Sequence, residues 1–161
     1  MNIVLKLPLL LIFAASSFGL SKEMDPTAMS APKTFNLDGG VVIKGYDPVS
    51  YFQPTGPLKG DKKITVNHDG VSYQFASEEN KSKFLATPSA FIPQYGGWCA
   101  TAVAGGYKYD IDPKHYKITD NKLYLFYKGF LGDAKKDWVK NEPQQISQAD
   151  KKWPEVSQKS K

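Results

Sequence analysis

The chain has 161 residues, of which 41% are hydrophobic and 13% aromatic, which is enough for one domain with a packed core. Its formal net charge of +5 comes from lysine alone, because its 21 basic residues include no arginine. Nucleic-acid binders use arginine for bidentate contacts with phosphate and guanine, so this composition argues against a nucleic-acid partner.

The first residues have the pattern of a secretory signal peptide. Lys6 supplies a positive charge, and an almost entirely apolar stretch over residues 7–18 is followed by small residues. This stretch is shorter than the roughly 20 residues that a membrane-spanning helix needs, so we expect no stable membrane insertion. The sequence therefore predicts a signal peptide over residues 1–19, cleavage near 19–21, and a periplasmic or secreted mature chain.

The remaining chain predicts a single domain between two polar ends. A proline-containing polar segment over residues 20–36 is typical of a linker, and residues 157–161 predict a disordered tail. We expect the domain itself to cover residues 37–156.

The first half of the domain predicts a short strand, a helical turn and a hairpin, in that order. Asp47 precedes a proline, which is typical of a helix cap. Asp69-Gly70 is a strong hairpin signal because both residues tolerate positive φ. Ser77 is a good N-cap for a helix that carries Phe84 on its apolar face.

The second half predicts one more hairpin and two C-terminal helices. A strand is expected over residues 101–103, and Asp112-Pro113 repeats the pattern of Asp47-Pro48. A hairpin is expected to turn at Asp120-Asn121. Helices are expected over 133–141, with Trp138 and Val139 inward, and over 143–153. The order of elements predicts an α+β domain: a small antiparallel sheet of two hairpins with short helices packed on it, and two C-terminal helices.

Metal ligation and thiol chemistry both depend on few residues. Cys99 is the only cysteine, so no intramolecular disulfide can form, and with His68 and His115 it makes up the strong soft or borderline metal ligands. No two of them lie at ligand spacing, so a copper or zinc site would have to be assembled by the fold. Cys99 with His115 and an acid such as Asp112 has the ingredients of a thiol–imidazole pair, although apolar neighbours favour a buried, inert thiol.

Several blocks together resemble the YHS domain family in its exported, stand-alone form. They read GYDPVSYF at residues 45–52, DGVSYQFASEENK at 69–81, PQYGGWCA at 93–100 and KLYLFY at 122–127, with a further ADKKWP at 149–154. The resemblance implies the fold of that family and an exported setting.

The resemblance also implies where a metal would bind and why this chain lacks that site. The short form of the family is presumed to bind metal through cysteines at three positions, which here hold Ser50, Ala76 and Asn80. Thiolates supply most of the affinity of such soft sites. The exported subfamily instead shares the Gly-Gly-aromatic-Cys-Ala segment at residues 96–100, whose glycines let the backbone pass close to a bulky group.

We therefore expect a non-enzymatic exported domain that binds a small-molecule or metal ligand. Two alternatives remain open: a copper or zinc chaperone or sensor using Cys99 with His68 or His115, and a thiol enzyme centred on Cys99. The sequence leaves the oligomeric state open. The expected ligand-binding residues are Tyr46, Tyr95, Gly96, Gly97, Trp98 and Cys99.

Overall fold

A computed structural model of the protein describes residues 34–160. The predicted signal peptide, its cleavage site and most of the predicted linker lie outside these residues. Within them, no helix combines the length and the hydrophobicity that crossing a bilayer requires. The mixture of helices and strands confirms the predicted α+β class.

The bounds of the elements are as follows. The strands are β1 (Leu37–Asp38), β2 (Val41–Val42), β3 (Asp61–His68), β4 (Val71–Phe75), β5 (Asp112–Thr119), β6 (Lys122–Phe126), β7 (Lys128–Gly129) and β8 (Gly132–Asp133). The α-helices are α1 (Glu78–Ala86), α2 (Ala100–Gly105), α3 (Ala134–Lys140) and α4 (Glu142–Val156). Short 3-10 turns occupy Ile43–Gly45, Ser50–Phe52, Pro88–Ala90 and Gln94–Gly97.

Both predicted hairpins form around the predicted turns. Asp69 and Gly70 have φ values of 52° and 76° between β3 and β4, and Asp120 and Asn121 have φ values of 51° and 56° between β5 and β6. Two-residue loops match the twist of the flanking strands when φ is positive, and these residue types tolerate that conformation. The local signal therefore suffices to place both turns.

The two hairpins lie in different sheets, so the prediction of one sheet built from both is wrong in this detail. β3 and β4 belong to a sheet of order β1-β2-β4-β3, whereas β5 and β6 form a separate two-stranded sheet. The second edge of β4 is occupied by β2, which pairs with it in parallel through Val41 and Ser72. In the second sheet, Leu125 of β6 instead forms an isolated parallel bridge with Cys99.

Helix α1 begins as predicted, but the strand predicted over residues 101–103 is a helix. Ser77 accepts a hydrogen bond from the Asn80 N–H at 3.2 Å and caps α1. Alternating alanines favour the helical conformation of α2. Gly106, at φ 96°, ends α2 in the left-handed conformation, and its N–H donates to the Val103 carbonyl at 2.9 Å.

Two further local predictions are wrong. Asp112 does not cap a helix: it begins β5, and its Oδ1 accepts a hydrogen bond from the Lys114 N–H at 2.9 Å. Trp138 is fully buried on α3, but its neighbour Val139 is 51% exposed. Consecutive residues of a helix point in different directions, and the larger indole takes the position that faces the core.

Strand β6 separates two hydrophobic clusters. Its side chains alternate between two faces, as the period of a strand dictates. Leu123 and Leu125 join the first cluster, which lies against the larger sheet and α1, and Tyr124 and Phe126 join the second, which lies against α2, α3 and α4. Buried on both faces, β6 is the element that the two halves of the core share.

The folded part extends past both predicted ends of the domain. Phe35 packs against the first cluster, and the Asn36 N–H donates to the Gly96 carbonyl at 2.9 Å. At the other end, Ser157 is buried, and its N–H donates to the Trp153 carbonyl at 2.8 Å. Residues 34–36 and Ser157 therefore belong with the domain rather than with a linker and a tail.

Candidate ligand-binding cleft

Cys99 lies in the wall of a cleft of about 320 Å³, which we call the Cys99 cleft. The cleft forms where α2, the segment that follows it, the β7–β8 hairpin and the start of α3 meet. The lining residues are Cys99, Thr101, Ala102, Tyr107, Tyr109, Tyr127, Leu131, Gly132, Asp133, Ala134 and Asp137.

Two tyrosine rings form one side of the Cys99 cleft. After α2 the chain turns back, and the Cys99 N–H donates to the Tyr109 carbonyl at 3.0 Å, which holds this returning segment beside Cys99. The rings of Tyr109 and Tyr127 meet edge to face, with centroids 5.0 Å apart and an interplanar angle of 90°. Tyr107 adds a third ring, more than half of whose residue surface is exposed.

The β7–β8 hairpin forms the rim of the Cys99 cleft by folding onto Tyr127. The Leu131 N–H donates to the Tyr127 hydroxyl at 3.1 Å. A Cβ atom at Gly129 would lie 2.5 Å from the same hydroxyl, so a larger residue there would require the Tyr127 side chain to shift. The turn leaves Phe130 and Leu131 101% and 71% exposed at the rim.

Two carboxylates stand on the side of the Cys99 cleft formed by β8 and α3. Asp133 caps α3 by accepting from the Lys135 N–H at 3.1 Å, and its Oδ1 lies 2.5 Å from Nε2 of His115. This contact with His115 is the main reason that the pKa of Asp133 lies below its usual value. Asp137 pairs with Lys140 at 2.6 Å, and both of these side chains are largely exposed.

The Cys99 thiol is buried, and its surroundings disfavour the thiolate. Cys99 is 1% exposed, and its Sγ accepts a hydrogen bond from the Tyr127 N–H at 3.4 Å. Burial raises the pKa of the thiol, and neighbouring backbone N–H groups offset this only in part. Because the thiolate is the nucleophile and the metal-binding form, this environment favours a structural role for the sulfur.

The paired glycines accommodate the protein's own backbone. A Cβ atom at Gly96 would lie 2.1 Å from the Thr34 carbonyl oxygen. Asn36 Nδ2 donates to the Gly97 carbonyl at 3.3 Å. Gly97 has a φ of 80°, which suits glycine. The close approach that the sequence indicated is therefore made by residues 34–36.

The three predicted aromatic ligand-binding residues lie outside the Cys99 cleft. The Tyr95 hydroxyl donates to Asp150 Oδ1 at 2.8 Å and ties down α4; together with Gly96, Tyr95 lines a separate cleft of about 390 Å³. Trp98 is buried in the second hydrophobic cluster, and its Nε1 donates to the Thr34 carbonyl at 3.1 Å. Lys59 Nζ lies 5.0 Å from the centroid of the Tyr46 ring.

The structure does not assemble the predicted metal site. Within residues 34–160, no three His, Cys, Asp or Glu side chains are grouped so that they could hold a metal ion. His68 lies 3.4 Å from Asp69 and packs edge to face on Phe84. His115 pairs with Asp133, not with Asp112, which was its predicted acid partner.

The three positions at which the resemblance implied thiols converge on one buried carboxylate. Asp47 is fully buried, and its Oδ1 accepts from the Val49 and Ser50 N–H groups at 2.8 and 3.4 Å. Its Oδ2 accepts from the Ala76 N–H at 2.9 Å and from Asn80 Nδ2 at 2.6 Å. Hydrogen bonds to a carboxylate thus occupy this part of the fold.

Comparisons with protein-family models, with curated proteins and with solved structures found no match to this chain.

Of the residues that line the Cys99 cleft, Cys99 alone was among the expected ligand-binding residues. Cys99 was singled out as a lone thiol beside paired glycines. Tyr107 and Tyr109 carried a weaker signal, since residues two apart in an extended segment share one side. Asp133 and Asp137 gave none, because their place in the cleft depends on where the β7–β8 hairpin sets the start of α3.

Proposed function

We propose that the chain is a non-enzymatic, exported binding domain of the YHS type that holds a small organic ligand in the Cys99 cleft. The cleft, with its three tyrosine rings, is the observation that carries this proposal. Binding sites for small molecules are concave, have volumes of roughly 300–1,000 Å³ and combine apolar walls with few polar groups. A cleft of about 320 Å³ suits a ligand at the small end of this range.

The chemical character of the wall supports binding of an organic molecule. Tyrosine offers a large apolar ring and a hydroxyl on a side chain that loses little conformational entropy. The Thr101 hydroxyl donates to the Ala134 carbonyl at 2.8 Å, which fixes the relation of α2 to α3 across the cleft. The wall is thus largely preformed, and a ligand would order few groups when it binds.

The buried thiol argues against nucleophilic catalysis and gives a first prediction. Because the pKa of Cys99 is raised and its sulfur is covered, iodoacetamide should alkylate the folded protein far more slowly than the protein unfolded in urea. Mass spectrometry of quenched samples measures both rates at pH 8. Equal rates in the folded and unfolded protein would reopen the thiol-enzyme alternative.

Nuclear magnetic resonance tests the proposed site directly. The uniformly ¹⁵N-labelled mature chain is titrated with soluble fragments that include phenols, ammonium compounds and carboxylates. We expect the amide signals of Cys99, Tyr109 and Asp133 to shift together with at least one fragment class. Tyr109→Leu should weaken this response, whereas Tyr46→Leu, which removes a half-buried tyrosine outside the cleft, should preserve it.

Two outcomes would contradict the proposal. Shifts confined to Phe35, Ile92 and Tyr95 would place the ligand in the separate cleft that Tyr95 lines. Equal loss of response in both tyrosine variants would show that Tyr109 does not contact the fragments.

A further inference from the structure

The Cys99 cleft differs in charge from the rest of the molecule. The chain has a net charge of +5 and 21 lysines. Among the described residues that line the cleft, however, there are two carboxylates, Asp133 and Asp137, and no basic side chain. A concave wall with this lining favours a positive charge more than the surrounding lysine-rich surface does.

The neighbouring cations leave part of this negative charge available. Lys140 reaches Asp137 from the next turn of α3, but side-chain exposures of 73% and 63% place the pair in solvent, where such pairs are weak. His115 contacts Oδ1 of Asp133, the same oxygen that accepts from the Lys135 N–H. Lys135 itself directs its Nζ to the Tyr116 carbonyl at 3.3 Å.

The tyrosine rings supply a second, independent attraction for a cation. The face of an aromatic ring is electronegative and attracts ammonium groups within about 6 Å of the ring centroid. In an edge-to-face pair, the two ring faces point in different directions, so Tyr109 and Tyr127 present differently oriented surfaces beside one cleft. Tyr107 adds a further ring to the same lining.

An organic cation fits this lining better than a metal ion does. Hard metal cations require six or more oxygen ligands, and the described residues contain no group of three metal-ligating side chains. Ala102 and Leu131 line the cleft with apolar surface, which suits methyl or methylene groups around a nitrogen.

We infer that the ligand of the Cys99 cleft is an organic cation, an ammonium group carried on a small apolar body. This inference rests on the proposed function, and it specifies the ligand class. The faces of the tyrosine rings contact the cation, and the carboxylate of Asp137 lines the same cleft.

Three probes of nearly the same shape separate charge from size. Choline is positive, 3,3-dimethylbutan-1-ol is its neutral counterpart and 3,3-dimethylbutanoate is negative. Each is titrated into the ¹⁵N-labelled mature chain at low salt, and the shifts of the Cys99, Tyr107 and Asp133 amides give the affinity. We expect choline to bind roughly two- to thirty-fold more tightly than the neutral alcohol, and the carboxylate to bind weakest.

Matched variants assign the preference to named groups. Asp137→Asn should lower the affinity for choline by roughly two- to five-fold and leave the affinity for the neutral alcohol unchanged. Glu79→Gln, which removes a comparably exposed helix ion pair with Lys83 outside the cleft, should change neither affinity. Tyr109→Leu should lower the affinity for choline more than the affinity for the alcohol, because leucine retains apolar contact but has no ring face.

The outcomes distinguish this inference from the proposed function. If the alcohol or the carboxylate shifts the cleft amides at least as strongly as choline does, the cation preference is wrong while the cleft remains a ligand site. If Glu79→Gln lowers choline affinity as much as Asp137→Asn does, the preference comes from the net charge of the molecule and the inference also fails. If no probe shifts these amides but fragments bind there, the ligand class is wrong, and if nothing binds there, both proposals fall.

Discussion

Asp47 is the residue at which sequence resemblance and structure diverge most usefully. Its carboxylate is fully buried and accepts hydrogen bonds from three backbone N–H groups and one side-chain amide. Asn80 in turn accepts from Gln53 Nε2 at 2.8 Å, so the network reaches the turn that follows residues 50–52. A buried charge is tolerated when its lone pairs are satisfied in this way.

Replacing Asp47 should therefore cost more than replacing an ordinary cap. Asp47→Ala leaves several buried donors without an acceptor, and we expect it to lower the free energy of unfolding by roughly 3–5 kcal/mol. Ser77→Ala, which removes only the N-cap of α1 nearby, should lower it by about 1 kcal/mol. Urea denaturation followed by far-ultraviolet circular dichroism measures both values. A loss at Asp47 no larger than the loss at Ser77 would show that the network contributes little.

At this scale the sequence predicted the local hydrogen bond of Asp47 but not its long-range ones. The Asp-Pro pair indicated a cap, and Oδ1 indeed accepts from the Val49 N–H. The bonds from Ala76 and Asn80 span 29 and 33 residues along the chain, and no local pattern encodes them. The same is true of Gly96, whose close neighbour is the backbone of Thr34.

Among the elements, α4 begins at a residue that joins three parts of the fold. Oε1 of Glu142 accepts from Trp138 Nε1 at 2.9 Å and from the Thr119 hydroxyl at 2.8 Å. Its Oε2 accepts from Lys117 Nζ at 2.5 Å. These contacts link the start of α4 to α3 and to the end of β5. Glu142 also suits the positive end of the α4 dipole.

Glu142 should make the stability of the protein fall in acid. Burial raises its pKa, but the hydrogen bonds from Lys117, Thr119 and Trp138 outweigh this, so the pKa in the folded state lies below the usual value. The stabilisation is complete above the unfolded-state pKa of about 4.3 and is lost as pH falls through the folded-state pKa.

Glu142→Gln should remove this acid-dependent part. At pH 7 we expect the free energy of unfolding of the variant to be about 1–2 kcal/mol lower than that of the wild type. The difference should shrink below pH 4, measured by urea denaturation across the acid range. Glu155→Gln, on the exposed side of the same helix, should be nearly neutral at every pH. A deficit in Glu142→Gln that stays constant with pH would mean that the charge of Glu142 is not involved.

Elements were predictable where their signals were local. The turns at Asp69-Gly70 and Asp120-Asn121 and the cap at Ser77 depend on a few adjacent residues, and the sequence predicted all of them. The predicted segment over residues 101–103 is too short for its period to separate strand from helix. Its helical conformation follows from packing of α2 against α4 and from the left-handed conformation of Gly106.

At the scale of the whole molecule, β6 contributes side chains to both hydrophobic clusters and so connects them. The sequence predicted β6 as a strand and two C-terminal helices, but not that alternate faces of the strand would serve separate clusters. The Cys99 cleft escaped prediction for a similar reason. Its walls come from residues 99–109 and 127–137, which the paired strands β5 and β6, lying between them in the chain, bring together.

If β6 couples the two hydrophobic clusters, a substitution that destabilises one cluster should also destabilise the other. The chain has three tryptophans, and all of them lie in or against the second cluster: Trp98, Trp138 and Trp153. Tryptophan fluorescence therefore reports on the second cluster, whereas far-ultraviolet circular dichroism reports on all the helices and strands. Leu125 is fully buried in the first cluster.

Leu125→Ala should therefore shift both signals equally, although it removes atoms from the first cluster only. The cavity should lower the free energy of unfolding by roughly 2–5 kcal/mol. The fluorescence and dichroism midpoints in urea should coincide in the wild type and fall together in the variant, because β6 cannot leave one cluster without exposing the other. Val139→Ala, at an exposed position on α3, should change both midpoints little. A fluorescence midpoint that stays at the wild-type value while the dichroism midpoint falls would show two units that unfold separately.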